Sequence, residues 1–198
     1  VSNTVLPKAN FQRTTVLPGT EVREYKGENL SSVEDVKNQG IKGVQNIDST
    51  SYSLSISGLV DESKELTYVQ VLALPKYSKV VGLYCVEGWD AKILWEGVLV
   101  KDIIDPAGIK PEANTVIFYA SDGYTTSLPF DYIENNQILL AYKINDLVLS
   151  PAKGFPFQLV AEDKWGYKWI KWVPQIALSN NPNYRGYWES RGYNNNGD

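Results

Sequence analysis

The run Val80-Val81-Gly82-Leu83-Tyr84-Cys85-Val86 is almost wholly apolar and is cut off at once by Glu87 and Gly88. A run of strand length with no polar face predicts a strand buried on both sides. The same signal recurs along the chain. Residues 116–120, 138–144, 157–161 and 168–178 are further strand candidates, and residues 93–100 form a strand or a strand-to-helix joint, with a turn over 101–104 before Pro106. Residues 52–56 alternate apolar and polar and are closed by Gly58, as in a half-buried strand. Asp122-Gly123 is a hairpin signal. Helical signals are short: residues 31–38 have a cap residue and acids in the first turn, and Thr67 caps a turn or two that Pro75 stops. Short strands interleaved with short helices predict an α+β, strand-rich mixed α/β domain over residues 51–198. Residues 1–50 read as an N-terminal arm packing on or extending from it, and the tail from Asn180 has no apolar period.

Composition narrows the chemistry. At 198 residues and 43% hydrophobic, the chain can bury a core without a disulfide or metal staple. Its net charge of −4 argues against nucleic acid as a partner. No apolar stretch approaches the ~20 residues of a membrane span. The sequence has no histidine, which removes Ser-His-Asp and Cys-His catalysis and His-ligated zinc, non-haem iron and haem. One cysteine, Cys85, excludes an intrachain disulfide and a four-cysteine cluster. Methionine is absent, so the chain is expected to be a processed or trimmed form.

Three features could carry chemistry. Cys85 is either a small buried hydrophobe or a thiolate ligand or nucleophile at a strand exit, where Gly88 lets a bulky ligand approach. With no histidine as base, soft-metal ligation is the more attractive sharp reading. Strand alternation over residues 168–173 sets Lys168 and Trp172 on one face, Trp169 and Lys171 on the other. A lysine here either snorkels to water or neutralises an anionic ligand. The six tryptophans and thirteen tyrosines either line a groove or fill core and rim.

Five ordered blocks bring these features together. Cys85-Val86-Glu87-Gly88-Trp89, Trp95-Glu96-Gly97-Val98 and Asp122-Gly123-Tyr124-Thr125-Thr126-Ser127-Leu128-Pro129 are followed by Gly154-Phe155-Pro156-Phe157-Gln158-Leu159-Val160 and Gly166-Tyr167-Lys168-Trp169-Ile170-Lys171-Trp172. In this order, over roughly two-thirds of the chain, they resemble the molybdopterin-binding oxidoreductases of the sulfite oxidase superfamily. The resemblance implies that fold, a molybdopterin (Mo) cofactor, and Cys85 as the protein ligand to the metal. It also implies catalytic positions at Asp122 and Tyr124, and cofactor contacts at Glu87, Lys153, Gln158, Lys168 and Lys171.

Two departures shape the expected function. Lys153 and Gln158 stand where sulfite oxidases carry histidine and arginine, and no arginine lies between Arg23 and Arg185. The pocket is therefore expected to be less anion-directed than in a sulfite oxidase. The pattern resembles the stand-alone bacterial or archaeal branch typified by sulfoxide reductase catalytic subunits. That resemblance implies two-electron oxygen-atom transfer on a small sulfur- or nitrogen-centred substrate, a separate redox partner and an extracytoplasmic location. The alternatives are a non-catalytic binding module on the same fold and an aromatic-rich glycan-binding sandwich.

Overall fold

The computed structural model describes residues 19–198, so residues 1–18 of the expected arm lie outside the described part. Two five-stranded sheets organise the domain. A small hairpin, β1 (Glu24–Tyr25) and β2 (Glu28–Asn29), comes first. The strands β3 (Ser53–Gly58), β4 (Lys64–Thr67), β5 (Tyr77–Tyr84), β6 (Asp90–Leu99), β7 (Thr115–Tyr119) and β8 (Thr125–Pro129) follow. They are succeeded by β9 (Leu139–Ile144), β10 (Leu147–Val148), β11 (Gln158–Val160) and β12 (Gln175–Ser179). One sheet runs β4-β3-β12-β7-β8; the other runs β10-β9-β6-β5, with β11 also paired to β9. Three short helices, α1 (Tyr68–Leu72), α2 (Val100–Ile104) and α3 (Phe130–Asn136), sit between strands.

One continuous apolar cluster joins the sheets, with Leu54 and Ile56 of β3, Phe118 of β7, Trp95 of β6 and Leu140 of β9 all fully buried. Burying each such side chain contributes about 1.5–3 kcal/mol, so this cluster and not local propensity holds the short strands in place. Thr67 caps α1 as expected: its Oγ1 accepts the Gln70 amide, and the Gln70 side chain accepts the Thr67 amide. At Gly58, φ is +86° and a Cβ would stand 2.1 Å from the Leu178 carbonyl, so only glycine allows β3 and β12 to meet here.

Two expectations fail locally. Residues 31–38 yield only a 3-10 turn, Val33–Asp35, because Val36 turns extended and buries itself in the core. Residues 168–178 are not one strand either. Gly166–Lys168 is a 3-10 turn, Lys171 makes only an isolated bridge to Gln158, and β12 starts at Gln175. Trp172 has φ +55°, a left-handed conformation that costs a bulky residue about 1–2 kcal/mol, and Pro174 has no amide for a ladder. The two-face alternation drawn for Lys168 and Lys171 is therefore wrong.

Candidate active site

The β5–β6 hairpin sets the first element of the site. Strand β5 ends at Tyr84, and Cys85 opens the turn: its amide donates to the Trp89 carbonyl (2.9 Å) and its own carbonyl accepts from the Gly88 amide (3.0 Å). Gly88 holds φ +83°, the left-handed geometry that this tight turn requires. The apolar strand thus fixes the backbone of a half-buried thiol at the edge of a cavity of about 240 Å³. Burial pushes the Cys85 thiol up; the Glu87 amide opposes this, the Glu87 carboxylate adds to it, and Lys37 opposes it.

The other walls come from distant segments. The hairpin β7–β8 delivers Asp122 and Tyr124 to the cavity. Asp122 is buried, and its carboxylate accepts the Ile41 amide (3.1 Å) and the Tyr124 amide (2.9 Å). Tyr124 donates its hydroxyl to the Tyr167 carbonyl, and burial pushes its phenol well above the ordinary range. Glu87, at the hairpin turn, accepts from the Gln39 side chain at 2.7 Å. Residues 36–41 cross the cavity, and a Cβ on Gly40 would stand 2.8 Å from the Trp172 ring, so this strap needs glycine to pass.

Two lysines give the same cavity a cationic wall. Lys153 donates to the Val36 carbonyl. Lys171 donates to Asn38 Oδ1 (2.7 Å) and the Ala152 carbonyl (3.3 Å), and its ammonium lies 4.3 Å from the Trp172 ring centre. Neither lysine is paired with a carboxylate among the described residues. Desolvation lowers Lys171 to about 8, with Asp122 pulling it back up and Lys153 pushing it further down. Beside them, Gln158 is buried, and among the described residues its Oε1 accepts no hydrogen bond and the buried Trp89 Nε1 has no acceptor. Two unmet polar atoms at one cavity are the kind of exception that a ligand resolves.

The fold thus gathers Cys85, Glu87, Asp122 and Tyr124 with Lys153, Gln158 and Lys171 around one cavity. Lys168 is the exception. It is fully buried away from that lining, with its ammonium on Glu189 (2.7 Å) and the Ser127 carbonyl (3.0 Å). Sequence reasoning missed residues 36–41, because they carry no motif, and Trp188 and Tyr193 of the tail, because the tail has no apolar period. The one signal was Glu189, the only acid between Asn180 and Gly197.

Comparison with known proteins agrees with this geometry. Residues 41–188 match the family model described as oxidoreductase molybdopterin binding domain. An uncharacterized oxidoreductase, YuiH, of Bacillus subtilis is 38% identical over 152 residues, covering 76% of each chain. A putative protein-methionine-sulfoxide reductase subunit, YedZ1, of Azospira oryzae is 34% identical over 76% of this chain and 57% of that one. The mitochondrial sulfite oxidase of Drosophila melanogaster is 28% identical over 72% of this chain but only 29% of its own length. The sulfane dehydrogenase SoxCD of Paracoccus pantotrophus shares the fold, with a TM-score of 0.69 at 21% identity over 72% of this chain and 42% of that one. The chain thus spans about three-quarters of YuiH, little more than half of YedZ1 and under a third of the fly sulfite oxidase. Its cavity, its five sequence blocks and its relatives agree: this chain belongs to the molybdopterin-binding oxidoreductases of the sulfite oxidase superfamily, the molybdenum enzymes of oxygen-atom transfer.

Proposed function

We propose that the substrate is a small uncharged molecule with a sulfur- or nitrogen-bound oxygen, or its reduced partner, and that Cys85 is the protein ligand to the molybdenum. The carrying observation is a cavity rich in tryptophan and tyrosine that, among the described residues, holds one thiol and no arginine. A soft thiolate suits a metal that already holds two sulfur ligands, and metal binding would drive the proton off the thiol despite its burial. Gln158 Oε1 and Trp89 Nε1 fit the alternating donors and acceptors of a pterin edge, and Lys153 and Lys171 fit its phosphate. When bound, molybdopterin supplies the oxygen-atom and two-electron chemistry.

The chain's own residues would bind, orient and exclude water. Asp122 and Tyr124, at the catalytic wall, fix its shape: the first ties residue 41 to the hairpin, the second ties the hairpin to Tyr167. Glu87 and Gln39 close the turn side, and Trp169 and Trp172 keep the inner wall dry. The domain is proposed to comprise residues 51–198, with the preceding arm packed on it through residues 30–41; Leu30 and Val36 are buried there. Lys168 would serve this site through Glu189 and not through the cofactor. Electrons would come from a separate redox partner, a reading that rests on the family resemblance alone. An extracytoplasmic location rests on the resemblance alone. Among the described residues no helix is long and apolar enough to cross a membrane.

The test is metal content and substrate preference together. Expressed with molybdate in a host that makes the cofactor, the protein should carry one molybdenum per chain. Neutral sulfoxides or N-oxides should then outcompete sulfite. Losing a bidentate arginine costs an anion on the order of 3 kcal/mol, about 100-fold in affinity. Sulfite oxidation with a low-micromolar Michaelis constant would overturn the substrate reading, and absence of molybdenum would overturn the ligand reading.

A further inference from the structure

Trp188 and Tyr193 of the C-terminal stretch line the cavity, and a buried ion pair ties that stretch to the segment after Tyr167. Lys168 Nζ lies 2.7 Å from Glu189 Oε1, with both side chains wholly inaccessible. Thr126 Oγ1 donates to the same oxygen at 2.6 Å, and Lys168 also donates to the Ser127 carbonyl. Both sides of the pair adjoin cavity residues in sequence: Tyr167 precedes Lys168, and Trp188 precedes Glu189. The rings of Tyr167 and Tyr193 lie 5.1 Å apart, and those of Tyr193 and Trp188 5.4 Å apart, giving one connected aromatic edge. Trp188 and Tyr193 are each 37% exposed, which puts them at the mouth and not the floor. Gly166, one residue earlier, stands where a Cβ would meet the Cys85 Cα at 3.5 Å, so the start of this edge lies directly against the thiol segment.

A buried ion pair adds little stability over an apolar pair of the same volume, and its best-attested use is to specify register. Among the described residues Glu189 Oε2 is buried without a partner, so the pair is not arranged to satisfy every polar atom there. The tail has no apolar period of its own to fix its position. We propose that Lys168 and Glu189 are positioning residues that lock the rim formed by Tyr167, Trp188 and Tyr193 across the Cys85 side of the cavity. The rim then decides which substituents on a substrate's sulfur or nitrogen can reach the centre. This rests on reading the cavity as the active site.

Cys85 is the only cysteine of these 198 residues, so thiol labelling of this chain reports the rim without any metal. The double variant Lys168→Met with Glu189→Leu exchanges the pair for apolar side chains of similar volume. It should label about ten-fold faster with a polyethylene-glycol maleimide than wild type, as local opening of the rim predicts, and gain less with N-ethylmaleimide. Glu189→Gln keeps the acceptor for Thr126 and Lys168 but leaves Lys168 buried without its counter-charge, so it should also label faster than wild type. A folded double variant that labels at wild-type rates with both reagents would overturn the proposal. Should that variant not fold, hydrogen exchange on the wild type decides. The Tyr187 and Ser190 amides, bonded to the Thr125 and Gly186 carbonyls, should exchange as slowly as those of β8, and exchange at loop rates would overturn it. In loaded enzyme, the double variant should raise KM for methyl phenyl sulfoxide more than for dimethyl sulfoxide, with kcat retained. Failure of the cavity reading would appear instead as absent molybdenum, whatever the labelling rates.

Discussion

Lys168 and Lys171 are three residues apart in one segment, yet they occupy opposite kinds of environment. Around Lys168 the protein answers the charge itself, with Glu189 and the Ser127 carbonyl, and excludes water completely. Around Lys171 it supplies neutral oxygens and an indole face, but no carboxylate partner, and opens the ammonium to a cavity. Desolvation lowers both lysines, and only for Lys168 does a bonded carboxylate push back. A closed polar knot specifies structure; an open cationic wall awaits an anion.

The sharpest way to break this contrast is at the thiol that lines the same cavity as the open wall. Cys85→Ser should abolish molybdenum binding and reduce turnover by more than about 1,000-fold, while the stability of the metal-free chain moves by less than about 1 kcal/mol. Metal analysis and thermal unfolding measure the two effects. The reverse pattern, lost stability with full metal loading, would make Cys85 structural.

Next in size is the closed knot. Glu189→Ala leaves Lys168 buried without its counter-charge and should cost about 3–5 kcal/mol in denaturant unfolding. A loss below 1 kcal/mol would mean that water reaches Lys168 and that the knot is not closed.

Lys171→Met should act with the opposite sign. The folded chain holds Lys171 at about 8, below its usual 10.5, so the folded state binds the proton less well than the unfolded state. The resulting penalty is fully present below pH 8 and disappears as pH rises from about 8 to 10.5. The cofactor-free variant should therefore be more stable than wild type at pH 7, by on the order of 1–2 kcal/mol, and the gap should close towards pH 10.5. Its molybdopterin content should fall. Wild-type occupancy would remove Lys171 from the site.

The smallest effect sets the scale for burial. Lys101 and Glu134 pair at 2.9 Å in the open, both about two-fifths exposed. Lys101→Ala should change stability by less than about 0.5 kcal/mol. A loss comparable to that of Glu189→Ala would mean that burial is not what separates the two pairs.

The sequence revealed the parts of this molecule built by apolar periodicity. Strand β3, with its closing glycine, and the capped α1 were legible, because pattern and packing agree there. The strand before Cys85 was legible in place but not in setting: β5 ends at Tyr84 and is a sheet edge with Tyr84 and Val86 exposed, not a strand buried on both sides. Strand β8 was not, since its buried residues include Thr126 and Ser127, and α3 was hidden behind Pro129 with no capping side chain. The lysine segment misled because a 3-10 turn and a left-handed tryptophan override alternation, and neither leaves a local signature. The five blocks brought the chemistry-bearing side chains to light. The walls that complete the cavity, residues 36–41 and the tail, are held by hydrogen bonds from distant side chains and, for the tail, by the ion pairs Lys168–Glu189 and Lys164–Asp198, contacts that only the folded chain creates.

The position of β12 in its sheet bears on how the chain folds. It lies between β3 and β7, parallel to the first and antiparallel to the second, although it follows both in sequence. Strands β3 and β7 therefore each carry an open edge until residues 175–179 arrive to bridge them. Pairing across more than a hundred residues adds loop-closure entropy to that step, so folding is expected in the slow range of strand-dominated domains. During that interval two apolar edges are exposed together, so substitutions in β12 should depress the yield of folded protein more than their effect on final stability would suggest.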